Sequence, residues 1–537
     1  MRTDIPHIKG IFEIPGALPV SGHLLELGDD HATTCEGWWR QYRAPVFQIR
    51  LGNTRAVVVN SFAAAKRMLV GHQSAVIDRP TLYTFHGIIS STQGFTIGSS
   101  PWDASCRAKR TAAGAALGRA RVRDYFDMLD LESYCIVRDL VRDSKDGSVE
   151  VDVRPYIQRY ALNTTLTLCY GIRMDSVYDS MLREILEVGS AISLLRSASE
   201  NYQDYIPLLR YWPNNEKNRR SKELRDRRDA YLNALLDQVR EMIRKGTDKP
   251  CISAAILKDE ETKLTGVEVS SICLSLVSGG FETIPGTLTS CIGSLATREG
   301  QLWQEKAYRD IKRLYPDVRD AWRNSYQDEK VPYVNAIVKE AARYYTVSAM
   351  SLPRKTVEDV QWDGATIPAK TMILINAQAA NHGMIPLVTL QHSDLTGETD
   401  TDHFGPSAST FDPERWLESD GTHTPALEKP SSGIQHFSFG AGARACSGQI
   451  IASRLLYTAL LRIICSYRIV ASEKRPPNTD YVDYNQFKSA LVAIPRDFGV
   501  RLVPRDAGGE EGILGECLEE ARSRTEGYYK EDLGVKI

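Results

Sequence analysis

Phe439-Gly-Ala-Gly-Ala-Arg-Ala-Cys446-Ser-Gly448 is the stretch on which the reading of this chain turns. A cysteine thiolate that bonds the metal of a flat prosthetic group needs a loop able to approach that group closely. Gly440, Gly442 and Gly448 suit such a loop, because glycine tolerates close approach and positive φ. The thiolate also needs donors or positive charge nearby to stay deprotonated, and Arg444 supplies charge two residues upstream. Directly after Gly448, Gln449-Ile-Ile-Ala-Ser-Arg-Leu-Leu-Tyr-Thr-Ala-Leu-Leu-Arg-Ile-Ile464 reads as a long helix. Cys446 therefore stands just before a helix N-terminus, where the dipole stabilises an anion. These are the requirements of an axial haem ligand. A cysteine in that role pushes electron density onto iron and favours O–O cleavage.

Working outward, Gly28 to Arg43 reads as a short helix carrying Trp38 and Trp39. Val46–Leu51 and Thr54–Asn60 alternate or are β-branched around Gly52-Asn53, a hairpin signal. From about Pro101 to Thr346 the pattern is mostly helical, and the charge run from Asn218 to Arg228 is a solvated helix face. Short strands return at Val360–Pro368 and Thr371–Asn376, and Val492 to Val503 alternates like a strand. The fold class is mainly α with small β-sheets, an α+β chain.

Composition narrows the function. The chain has 537 residues and a formal net charge of −2, with a pI near 6.6, which argues against a nucleic-acid binder. Its ten cysteines are scattered without a CxxC pair or zinc spacing, a pattern of free thiols in a reducing compartment. No segment approaches the ~18 consecutive apolar residues of a membrane span, so no transmembrane segment is expected. Met1 to Gly10 carries charge and proline where a signal anchor is apolar.

The run from Phe439 to Gly448 resembles the signature of the cytochrome P450 superfamily, with every signature position filled. The resemblance implies haem b held between a long central helix and the Cys446 loop. It also implies O2 as co-substrate and electrons from NADPH through a separate NADPH–cytochrome P450 reductase. Pro15-Gly-Ala-Leu-Pro-Val20 resembles the proline-rich hinge that follows the anchor of microsomal members. The expected location is the cytoplasm or the cytosolic face of the endoplasmic reticulum, the chain being either soluble or short of a leading segment. Residues 1–27 are expected to form an N-terminal segment and hinge, 28–505 a single catalytic domain and 506–537 a C-terminal tail.

Several constellations gain meaning beside the cysteine loop. Thr265-Gly-Val-Glu268 is a capping box that opens a helix running to about Leu295, with Gly279-Gly-Phe-Glu-Thr283 at its centre. Pro285 cannot donate to the carbonyl of Phe281, so the helix is expected to open or kink locally. By resemblance, Thr283 would hold the activated oxygen with its water chain, and Glu282 would relay protons from solvent. The family commonly has aspartate where this chain has Glu282. Glu340 and Arg343 share a helix face at i, i+3. With Arg415 of Asp412-Pro-Glu-Arg415-Trp they match the family's buried structural network. Arg354 matches a residue that salt-bridges a haem propionate. Trp102 looks like the family's propionate-binding tryptophan, but Cys106 stands where a base is usual, leaving Arg107 or Arg110 to substitute. His436 is read either as a propionate donor or as solvent-facing.

Asp78-Arg-Pro-Thr-Leu-Tyr-Thr-Phe-His86, Gln93-Gly-Phe-Thr-Ile-Gly98 and Glu329-Lys-Val-Pro-Tyr-Val-Asn335 further resemble the fungal phenylacetate hydroxylase family. The regions expected to touch substrate are Tyr83 to Phe95, Phe281, Val347 to Met350 and Asn485 to Ser489. They form a modest apolar pocket for an aromatic ring, although Tyr83, Phe85, Phe95 and Phe487 read equally as core. Residues 383–398 do not fit the family pattern and read as an unspliced intron or a surface insertion. The expected activity is hydroxylation of an aromatic or aryl-alkyl small molecule. Two alternatives remain: oxidative coupling or cyclisation of an aromatic amino-acid-derived product, and a non-catalytic haem-binding or misspliced protein.

Overall fold

The hairpin signal becomes strands β2 (Val46–Leu51) and β3 (Thr54–Val59), which pair antiparallel with Leu51 opposite Thr54 across the Gly52-Asn53 turn. The computed structural model describes residues 3–259, 264–383, 401–405, 407–418, 434–506 and 508–530. Three further strands complete this sheet in the order β1-β2-β3-β7-β4: β1 (Phe12–Glu13), β4 (Arg354–Lys355) and β7 (Met372–Ile375). Val57, Val58 and Val59 are all buried, as expected of a central strand covered on both faces. The first segment docks on this sheet: Gln48 donates to the carbonyls of Ile8 and Ile11, and Ile5, Ile8, Ile11 and Ile14 are buried. A second hairpin, β5 (Val360–Trp362) with β6 (Ala365–Ile367), turns at Asp363-Gly364.

Helices make up most of the remainder. The longer ones are α1 (His31–Tyr42), α2 (Ala104–Leu117), α3 (Phe126–Ser144), α4 (Arg154–Tyr170), α5 (Ser180–Leu194) and α6 (Glu216–Lys245). They continue with α7 (Gly266–Ala296), α8 (Arg298–Leu314), α9 (Pro332–Tyr345), α10 (Gln449–Ser466) and α11 (Ile513–Lys530). The capping box at Thr265 and Glu268 is present in both directions. α7 then runs through the interior, packed on α4, α9 and α10, and every residue from Ile284 to Ala296 is buried. Helices α7 and α10 are long and apolar enough to cross a membrane, but 50% and 72% of their apolar windows lie buried inside the fold. Here they are core helices.

The helix runs through Pro285 without interruption, continuous from Gly266 to Ala296. The hydroxyls of Thr283, Thr287 and Ser290 each bond the carbonyl four residues earlier, the geometry that lets a helix bend without ending. Alternation from Val492 also overstates the last strand. β9 spans only Val500–Pro504 and pairs with β8 (Tyr467–Ala471), because Tyr484, Arg496 and Asn485 tie the preceding residues into a turn. Residues 513–530, set apart as a tail, form α11 against α3, with Leu514, Cys517, Leu518 and Ala521 buried and Arg524 paired to Asp130. The atypical 383–398 stretch lies, apart from Gly383, outside the described residues.

Candidate active site

The loop before α10 is built by two glycines in the left-handed region, Gly440 at φ 64° and Gly442 at φ 65°. Gly442 also lies so close to the Arg67–Gly71 turn that a Cβ would stand 2.0 Å from the carbonyl oxygen of Leu69. Gly448 differs from expectation: its φ is −94° and it is the N-cap of α10. A Cβ there would stand 3.9 Å from the cysteine Sγ, an ordinary contact, so neither φ nor space singles out glycine at this position. The loop closes where the Cys446 N–H donates to the carbonyl of Phe439 at 2.9 Å.

Cys446 is accessible yet enclosed by protein, so it faces an internal space rather than bulk solvent. Burial pushes its thiol upward, while the N–H groups of Gly448 and Gln449 and the charge of Arg110 pull the other way. Those groups are the ones that stabilise an anion at this sulfur.

Four arginines gather beside the loop. Arg110 donates to the carbonyl of Ala445 at 3.0 Å and Arg354 to that of Ala441 at 3.1 Å. Arg444 donates to the carbonyls of Ile97 and Ser100 at 3.1 and 2.9 Å, and its guanidinium carbon lies 5.6 Å from the centroid of the Trp102 ring. Arg79, which sequence reasoning passed over, donates to the carbonyls of Leu352 and Pro353. Burial and mutual repulsion lower the pKa values of Arg79 and Arg354, the latter to about 9. Among the described residues none of the four is ion-paired. Arg107 is exposed, 6.0 Å from the Trp102 ring, so Arg110 is the base that reaches the loop. Lys109, also missed, is buried and satisfied by Phe95, Ser100 and Ser271. His436 is not solvent-facing: it is buried between Trp416 and Phe439, with burial lowering its pKa to about 3.

The Glu–Arg pattern assembles fully. Glu340 accepts from Arg343 at 2.7 and 2.9 Å, from Arg415 at 3.1 Å, from the Trp416 indole at 2.9 Å and from the Asp412 N–H at 2.8 Å. Both Glu340 and Arg343 are fully buried. Burial opposes the charge of Glu340, but the two arginines outweigh it and hold its carboxyl below the ordinary value.

On α7, Thr283 donates back to the carbonyl of Gly279 at 2.6 Å. The neighbouring Glu282 is pushed up to about 8 by burial, against the opposing pull of Arg196 and Ser193. Neither residue carried a sequence signal, since a single serine within α5 and a lone arginine just past its end have no periodicity. Of the expected substrate regions, Val347, Ala349, Met350, Asn485, Lys488 and Ser489 share one cavity with Arg196. Phe85 and Phe281 are buried, whereas Phe487 is 41% exposed.

Comparison with known proteins matches the cytochrome P450 family model to residues 13–384 and 388–491. The chain belongs to the cytochrome P450 family. It is 44% identical over 510 residues to a phenylacetate 2-hydroxylase of Emericella nidulans, covering 94% of this chain and 92% of the relative. It is also 37% identical over 507 residues to a 3-hydroxyphenylacetate 6-hydroxylase of the same fungus, covering 94% and 90%. A cytochrome P450 monooxygenase of Mycosarcoma maydis is 34% identical over 509 residues, covering 94% and 89%. This P450 is therefore a haem-thiolate monooxygenase that takes a small molecule, O2 and electrons from a redox partner. The residues present fit a haem: an enclosed cysteine at a helix N-terminus, and unpaired guanidinium groups suited to two propionates. The buried Arg79 and Arg444 Nε atoms, which have no acceptor, point the same way.

Proposed function

We propose that this P450 hydroxylates the aromatic ring of an arylacetic acid, with Cys446 as the thiolate that would hold the haem iron. The carrying observation is the 44% identity to a phenylacetate 2-hydroxylase along 94% of the chain. It is joined by a cysteine loop whose carbonyls are held by Arg110 and Arg354. Arg354, Arg444 and Arg110 would hold the propionates, with Trp102 and Phe439 beside them and Gly440, Gly442 and Gly448 shaping the loop. The bound haem supplies oxygen activation: one atom of O2 enters a C–H bond and the other leaves as water, consuming two electrons and two protons.

The chain's own residues supply the proton path. Glu282, with a pKa near 8, exchanges protons near neutral pH, which is what an acid–base relay requires. Thr283 can release its bond to Gly279 and pass a proton from the Glu282 side into the enclosed space. Glu340, Arg343 and Arg415 do no chemistry; they brace the loop from behind. Electrons would come from NADPH through a cytochrome P450 reductase, at the cytosolic face of the endoplasmic reticulum or in the cytosol.

The test begins with the dithionite-reduced protein under carbon monoxide, where a strongly red-shifted Soret band is expected from Cys446 ligation. Incubation with phenylacetate, NADPH and a fungal reductase should then give a ring-hydroxylated acid. Haem that binds with a histidine-like CO spectrum, or turnover without hydroxylated product, overturns the reading.

A further inference from the structure

Gly189 on α5 faces Phe281 of α7. A Cβ there would stand 2.0 Å from the tip of the Phe281 ring, so the missing side chain lets α5 settle directly onto α7. That contact brings Ser193 and Arg196, one and two turns further along, to the level of Glu282. The Arg196 guanidinium carbon lies 4.0 Å from the centroid of the Phe85 ring. It is half-buried, lies in the cavity wall with Val347, Ala349 and Met350, and among the described residues its guanidinium forms no hydrogen bond or ion pair.

An unpaired guanidinium inside a protein is expensive, and here the neighbours that could have neutralised it do not. Lys488, the other cation of the cavity wall, is paired to Asp30 and Asp483, each at 3.1 Å. Glu282 is the acid that acts on Arg196, but burial keeps it largely protonated at neutral pH. Arg196 keeps its charge, its pKa lowered by burial only to about 10. The Phe85 ring covers one face of the guanidinium through a cation–π contact. Its donor edges remain free, the arrangement that receives a carboxylate in bidentate fashion.

We infer that Arg196 is the substrate-anchoring residue of this P450, its guanidinium binding the carboxylate of an arylalkanoic acid while Phe85 fixes the guanidinium plane. The inference rests on the arylacetic acid reading above and deepens it. The anchor selects acids over neutral aryl compounds and fixes the distance between the carboxylate and the ring carbon presented for oxidation.

Isothermal titration of the holoprotein with phenylacetate and with uncharged phenylacetamide tests it. Wild type should prefer the acid. Arg196→Gln should weaken phenylacetate about 10- to 100-fold and leave phenylacetamide nearly unchanged, so the preference collapses. Arg196→Lys keeps the charge without the fork and should weaken the acid about 3- to 10-fold. It also serves if the glutamine variant fails to take up haem. Acid binding unchanged in Arg196→Gln, or in Arg196→Lys where only that variant folds, overturns the anchor. So does a wild type that binds amide and acid equally, although the substrate class then stands. A wild type that binds neither overturns both readings together.

Discussion

Gly440 and Gly442 form a matched pair for testing how the cysteine loop is held. Both have φ near 65°, so alanine at either position must accept left-handed backbone, a cost of about 1–2 kcal/mol. They differ clearly in the space a side chain would meet. A Cβ at Gly440 meets nothing within 4 Å, whereas at Gly442 it would lie 2.0 Å from the Leu69 carbonyl oxygen. That oxygen is backbone and cannot rotate aside, so the loop and the Arg67–Gly71 turn must separate. Overpacking of this kind adds about 1–3 kcal/mol. Gly440→Ala should therefore lose about 1–2 kcal/mol and Gly442→Ala about 2–5 kcal/mol. Urea unfolding of the two holoproteins, followed by the Soret band and tryptophan fluorescence, gives midpoints that convert through a shared slope. Gly442→Ala should also retain less haem on gel filtration. Equal midpoint shifts for the two variants would refute the close-approach argument and leave backbone conformation as the whole effect.

Glu340→Ala strands Arg343 and Arg415 in the interior and should cost about 3–5 kcal/mol, read as a lowered urea midpoint in the same assay. Glu282 gives a pH signature. Its carboxyl titrates at 4.5 ordinarily and at about 8 in the fold, so stability is full below the lower value and falls as pH rises through that window. Glu282→Gln lacks this decline, and its stability relative to wild type should grow from acid to neutral pH and level off above the upper value. Thr283→Ala should keep haem content and aryl-acid binding while yielding about 10-fold or less product per electron consumed, measured as hydroxylated acid against NADPH oxidised. Deleting residues 513–537 uncovers α3 and removes the Arg524–Asp130 pair, and should lower the thermal midpoint of the holoprotein.

Local patterns were legible where the chemistry is carried by neighbours in sequence. The cysteine loop, the Gly52-Asn53 hairpin, the Thr265 capping box and the Glu340–Arg343 spacing are all short-range and all form. Arg79, Lys109 and Arg196 were opaque because each acts across the fold on partners that no spacing rule connects. Choosing Arg110 over Arg107 needed the rotation of α2, which Cys106 at the usual base position obscures. The α11 helix was missed for a related reason: its apolar residues Leu514, Cys517, Leu518 and Ala521 are few, and its docking partner lies in α3, far back in the chain.

Arg444 has a consequence for how this protein is made. Through one side chain it ties the cysteine loop to the carbonyls of Ile97, Gly98 and Ser100, some 344 to 347 residues earlier. Arg79 makes the reciprocal crossing, from residue 79 to the carbonyls just before Arg354. Contacts of such separation are among the last a chain can close. The cradle for the prosthetic group is thus finished only when the two ends of the polypeptide have met. During synthesis Ile97, Gly98 and Ser100 are made long before Arg444, so this side of the cradle stays open until the cysteine loop has been added.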